Sequence, residues 1–172
     1  MDSRPLGPKY EVRQTAVSSL LEDVRQEKIA IPELQRPFVW DTVKVRDLMD
    51  SLYNGYPVGY LITWQSVGAH LKGGAVAKHQ QILIDGQQRV TALRAAVAGL
   101  EVVDKKYRKV RVKIAFNPRT EEFATLTPVL DKNAEWISDI SEFFSATSQL
   151  SFVRGYLEKN PNLEPDVAEA AI

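Results

Sequence analysis

Asp85, Gly86, Gln87, Gln88 and Arg89 follow one another where the apolar run Ile82-Leu83-Ile84 gives way to a helical pattern. A carboxylate, a permissive backbone position, two amides and a guanidinium in consecutive places can do two kinds of work. The first is punctuation. Asp-Gly is favoured turn chemistry, and Asp85 with Gln88 three residues on has the spacing of a capping box, each side chain satisfying an orphan N–H of the helix start. Arg89 is then a solvated first-turn residue. The second is anion binding. A cap needs one acid and one amide, so Gln87 and Arg89 are surplus, and a cation in the first turn sits against the positive end of the helix dipole. An anion at the helix start reverses that penalty. The N–H groups after Gly86 face it, Gly86 lets the backbone come close, and Arg89 forks onto its oxygens. The two uses are compatible. The pattern is not a Walker A loop, which needs a lysine and a wider glycine spacing.

A second polar group, Gln35 and Arg36, lies in QRPFVW between Pro32 and Pro37, a frame that excludes regular helix and central strand. Phe38 and Trp40 stand two apart there, able to cover a nucleobase or to close the core, with core closure the better fit for at least one. Two strand-to-helix junctions at one sheet edge can bring Arg36 and Arg89 together. Lys105, Lys106, Arg108 and Lys109 surround Tyr107 in a hairpin-like run. Its plainer reading is a solvated loop, its functional one contact with a nucleic-acid backbone. His70 and His79 lack metal-ligand spacing, and no serine sits in a nucleophile elbow. No metal site is assigned.

The elements that must hold these residues are legible as patterns. Thr15 is the expected N-cap of a helix whose Val17, Leu20, Leu21 and Val24 share one face. Ile29 to Ile31 reads as a short strand. Asp41 caps a second helix with Val45, Leu48, Met49 and Leu52 on one face, stopped by Asn54-Gly55. VGYLITWQ reads as a strand, residues 66–80 as a glycine-rich basic loop, and ILI as a buried strand. A helix from about Gln88 to Ala98 follows. KVRVKIAFN alternates strictly, the signature of one half-buried strand, and EEFATLT can return beside it through Asn117-Pro118-Arg119. Residues 139–144 read as a short helix or a turn, and residues 149–159 and a segment opened by Pro165 as helices. The fold expectation is α+β: residues 1–14 a loose arm, 15–130 a small mixed sheet with packed helices, and 131–172 the start of a helical extension of a longer protein.

With 22 Lys and Arg against 22 Asp and Glu, the formal charge is zero, which argues against bulk electrostatic nucleic-acid binding but leaves room for a local patch. There is no cysteine, hence no disulfide and no thiolate metal site, as suits a reducing cytoplasm. The N-terminus has no apolar signal core, and no apolar run approaches the ~20 residues that span a bilayer.

IPELQRPFVWD followed some forty residues later by ILIDGQQRVTAL resembles the N-terminal domain of the GmrSD-type modification-dependent restriction proteins, over roughly residues 15–125. The resemblance implies a ParB/sulfiredoxin-like fold and a role in defence against phage DNA. It implies a nucleoside triphosphate, with Mg²⁺ as companion ion, bound and hydrolysed at Asp85, Gly86, Gln87, Gln88 and Arg89 and lined by Gln35 and Arg36. Asp85 would hold Mg²⁺ or orient water, Gln87 or Gln88 would position that water, and Arg89 would meet developing charge. A C-terminal or separate nuclease domain would be the partner, with DNA engaged by the whole protein; nuclease action by this segment itself is not expected. The alternative is a binding module that grips DNA phosphate through the same arginine turn, without hydrolysis.

Overall fold

The computed structural model describes residues 10–32, 37–65 and 81–172, except the side chains of residues 167–169. It is an α+β fold of small sheets and packed helices, as expected. Helix α1 (Val17–Arg25) is followed by β1 (Ile29–Ala30), α2 (Thr42–Tyr53), β2 (Ile62–Gln65), β3 (Gln81–Asp85) and α3 (Gln87–Ala96). Strand β3 is central in a three-stranded mixed sheet, parallel to β1 and antiparallel to β2. Helices α1 and α2 both pack on α3. The small Ala92, Ala95 and Ala96, all buried with Val90 and Leu93, let those neighbours come close.

Some local predictions hold and others do not. Asp41 caps α2, its carboxylate accepting the Lys44 N–H at 2.8 Å. Asn54 is the C-cap, and Gly55 carries φ +69° just beyond it. Asp41→Ala should therefore lower stability by about 1 kcal/mol, read as a shift in the urea midpoint, with Asp41→Asn close to wild type. Thr15, by contrast, caps nothing: α1 starts at Val17 with Ala16 as an N-cap that makes no side-chain bond. Of VGYLITWQ only the last four residues are strand, on an edge with every side chain exposed. ILI is buried only at Leu83. Ile82 is half-covered and Ile84 is 58% exposed, because strand side chains alternate and the helices cover one face.

KVRVKIAFN is not one strand. Val102–Val103 (β4) and Lys109–Val110 (β5) form one antiparallel hairpin, and Ile114–Asn117 (β6) pairs with Glu122–Thr125 (β7) in another. The second hairpin turns through Asn117-Pro118-Arg119 as expected, the Asn117 side chain accepting the Arg119 N–H at 2.9 Å. All four residues of β6 are buried, not alternate ones. The Tyr53, Phe116 and Phe123 rings pack together against it, and Ile137 exchanges backbone hydrogen bonds with Phe116 along its free edge.

The C-terminal part is helical: α4 (Pro128–Asp131), α5 (Ile140–Ser145), α6 (Gln149–Lys159) and α7 (Pro165–Ala171). A buried polar cluster fastens it to the rest. Asp139, 2% exposed, caps α5 and accepts from the Ser141 N–H at 3.0 Å and its hydroxyl at 2.7 Å. Arg111 reaches in from beyond β5 to donate to Asp139 at 3.0 Å and to Ser141 Oγ at 2.7 Å. Its guanidinium lies against Gly99, where any Cβ would come within 2.6 Å of Nη2.

Candidate functional site

The polar turn sits where the central strand enters the central helix. Strand β3 runs through Asp85, whose Cα faces Ile62 of β2. Gly86 then turns the chain with φ +92° and serves as the N-cap of α3, making no side-chain cap bond. Glycine is needed twice over. The left-handed backbone disfavours a side chain, and a Cβ would run into the Leu61 side chain. The predicted Asp85–Gln88 capping box does not form. With Gly86 as the cap, the third helical position is Arg89, which has no acceptor to reach back with. Among the described residues, no side chain accepts from the N–H groups of Gln87, Gln88 or Arg89.

Gln88 does something else. Its side-chain oxygen accepts the Val39 N–H at 2.9 Å, and its amide nitrogen donates to the Pro37 carbonyl at 3.4 Å. Both ends of the amide are committed to the QRPFVW loop, so Gln88 is a latch rather than a free water-positioning group. On its other side the loop is tied to β4: Phe38 N–H donates to the Val103 carbonyl at 2.7 Å, and Phe38 bridges Asp104. Phe38 is buried and closes the core, while Trp40 is half-buried with Lys44 Nζ 4.5 Å above its ring. A cleft of about 220 Å³ opens between loop and helix, lined by Pro37, Phe38, Thr91, Arg94, Val102 and Val103 among others. Gln35 and Arg36 lie outside the described residues, as do His70 and His79.

Arg89 is held more closely than the sequence predicts. Nη1 donates to the Val58 carbonyl at 2.8 Å and Nη2 pairs with Asp85 at 3.0 Å. Gly59, with φ +84°, lies so close that a Cβ there would come within 2.6 Å of Nη1. The Arg89 side chain is 19% exposed and that of Asp85 is 62% exposed. The guanidinium is thus not an open receptor. Asp85 offsets the unfavourable cation at the helix start, and the pair is open on its carboxylate side. Gln87 donates to the Leu83 carbonyl at 3.3 Å, leaving its side-chain oxygen without a partner among the described residues.

The wall formed by Val58, Gly59 and Leu61 was not foreseen. Its signal was present: an isolated glycine inside a strand-like run marks a close backbone approach. Beyond it the β2 edge exposes Tyr60, Ile62 and Trp64. Lys105, Lys106, Arg108 and Lys109 stand apart from the polar turn on the β4–β5 hairpin, which the QRPFVW loop touches through Phe38. There the Arg108 backbone N–H and guanidinium, with the Lys106 N–H, hold the Asp104 carboxyl below its usual pKa. The clamp is therefore present above the ordinary aspartate range and is lost only as pH falls through that lowered value.

No group of three His, Cys, Asp or Glu suited to a metal exists among the described residues, and no helix there is long and apolar enough to cross a membrane. A single exposed carboxylate does match the way Mg²⁺ is held when phosphate oxygens and water complete its shell. Asp85 meets that requirement; an all-protein cage is absent among the described residues.

A small α+β domain, with a glycine-capped helix start, an exposed aspartate and a clamped arginine at the end of its central strand, is the class that fold and site define. Residues 17–165 match the family described as GmrSD restriction endonuclease, N-terminal domain, and the chain belongs to that family. No curated protein and no solved structure matches it.

Proposed function

We propose that this domain binds a nucleoside triphosphate at the β3–α3 turn and hydrolyses it, as the regulatory part of a restriction protein that acts against phage DNA. The observation that carries the reading is the uncapped start of α3, flanked by the exposed Asp85 and by Arg89. Free N–H groups and the helix dipole favour a phosphate there. Arg89 is held by Val58 O and Asp85, and would meet a phosphate by exchanging its Asp85 contact for a phosphate oxygen. Mg²⁺, when bound, would neutralise phosphate charge, and Asp85 would hold it. Gln87 keeps a side-chain acceptor for the attacking water while its amide stays fixed on Leu83. Gln88 keeps Pro37 and Val39 joined to the same helix turn. The fold kinship with ParB and sulfiredoxin that the two motifs imply agrees with a nucleotide at an arginine-bearing helix start.

Thermal denaturation with ATP, GTP, CTP or UTP and Mg²⁺ tests this. One nucleotide at a hundred times its Kd should raise Tm by roughly 5–10 °C. No shift with any of the four removes the reading. In the alternative, Arg89 grips DNA phosphate directly and nothing is hydrolysed. A guanidinium only 19% exposed suits a small anion entering the turn better than a duplex lying across it. Salt-sensitive duplex binding that Arg89→Ala abolishes, with no nucleotide effect, would instead favour the alternative.

A further inference from the structure

The turn of the β4–β5 hairpin carries a large aromatic residue at a left-handed position, a conformation that Glu27 and Glu121 hold elsewhere in the chain. Tyr107 adopts φ +56°, in the left-handed region, and is 76% exposed. Glycine or asparagine takes that conformation with little or no strain, whereas a bulky side chain is strained there. Burial does not compensate it, since the ring lies in solvent. Around it the charge is one-sided: Lys105, Lys106, Arg108 and Lys109 against Asp104 alone, in a chain whose 22 basic and 22 acidic residues cancel. Arg108 is spent on Asp104, at 2.9 and 2.7 Å. The three lysines have no carboxylate partner among the described residues.

The turn is also stiff. Asp104 accepts the Lys106 N–H at 2.8 Å and the Arg108 N–H at 2.9 Å through one oxygen, and the Arg108 guanidinium through the other. Backbone bonds from Tyr107 N–H to the Asp104 carbonyl and from Asp104 N–H to the Arg108 carbonyl close it, both at 2.9 Å. An aromatic ring raised on a rigid turn among free ammonium groups suits a strand of nucleic acid with unstacked bases. Ammonium groups meet its phosphates, and the ring offers a face to any base.

We propose that the β4–β5 hairpin is a DNA-strand contact in which Lys105, Lys106 and Lys109 take phosphates and Tyr107 stacks on an unpaired base. The contact is independent of the nucleotide reading. The hairpin and the β3–α3 turn hold the same loop, the first through Phe38 and the second through Gln88.

The test is fluorescence anisotropy of the whole chain, without nucleotide, on a labelled single strand and on a duplex of the same sequence. The single strand should bind more tightly. Tyr107→Ala should weaken it roughly 5- to 100-fold with an unchanged salt slope, and Tyr107→Trp should retain it. Replacing Lys105, Lys106 and Lys109 by alanine should flatten the slope by about 2. Tyr107→Gly separates ligand from fold: it relieves the strained backbone, so Tm should rise while single-strand affinity falls. Three results would overturn the proposal. One is equal binding of single strand, duplex and heparin, which means charge alone. Another is unchanged affinity in Tyr107→Ala, and the third is preference for an acidic peptide over DNA. A chain that binds DNA here but shifts with no nucleotide leaves this contact standing and removes only the hydrolytic reading.

Discussion

Asp139→Ala is expected to cost about 3 kcal/mol of folding stability, the largest effect of any single substitution outside the apolar core. Asp139 is 2% exposed and its carboxylate takes three contacts: the Ser141 N–H, which caps the start of α5, the Ser141 hydroxyl, and Arg111 at 3.0 Å. Truncation leaves the buried Ser141 N–H without its acceptor and strips Arg111 of its counter-charge, losses that exceed what the bonds contributed while intact. The Arg111 side chain is 32% exposed, so water screens part of the penalty and holds it near the low end for buried pairs. Arg111→Ala should cost a comparable amount, because it strands a buried carboxylate. The two losses should not add: in the double variant the combined loss should fall short of the sum by 1 kcal/mol or more. Urea denaturation of the four proteins reads this directly. Full additivity would mean that the two residues act separately and that α5 is held by its apolar contacts alone.

That cluster also marks the limit of reading this chain from its sequence. Signals that act within a few residues were legible. Asp41 caps α2, Asn54-Gly55 ends it, residues 149–159 form α6, and β6–β7 closes through Asn117. Each of these rests on residues close together in the chain, although the Thr15 cap and the Asp85–Gln88 box, equally local, did not form. Arg111 and Asp139 are 28 positions apart, and in KVRVKIAFN the arginine reads as the solvated side of an alternating strand. Alternation reports burial and not continuity. Val112 is as buried as Phe116 although it belongs to no strand, so one pattern concealed two hairpins. At the polar turn the expected partners were wrong. The capping box assumed that Asp85 left the strand. The chain stays extended through Asp85 and bends only at Gly86, which shifts the register of the helix start by one. That one-residue shift put Arg89 where an amide was expected and left Gln88 free to cross to Val39. Membership of the restriction family was legible from two motifs because each is contiguous.

Arg89→Ala is expected to lower nucleotide turnover by about 10²–10³-fold, the largest functional effect the site can show. The structure makes the substitution a demanding test, since this arginine also has architectural duties. It ties the Val58 carbonyl to the helix start at 2.8 Å and restrains Asp85 at 3.0 Å. Losing those bonds should cost about 1–2 kcal/mol, so turnover must be measured well below the lowered Tm. Arg89→Lys separates the two duties. A lysine can still neutralise Asp85 or reach the Val58 carbonyl, but its ammonium cannot fork across both and then onto a phosphate. Its stability should lie near wild type while kcat falls almost as far as in Arg89→Ala. The loss should appear in kcat more than in KM, because a guanidinium that meets charge as it develops acts on the transition state rather than on ground-state binding. Parallel falls in stability and turnover, restored together by lysine, would make Arg89 a strut between Val58 and Asp85. Turnover in Arg89→Ala equal to wild type would move the phosphate away from the β3–α3 turn altogether.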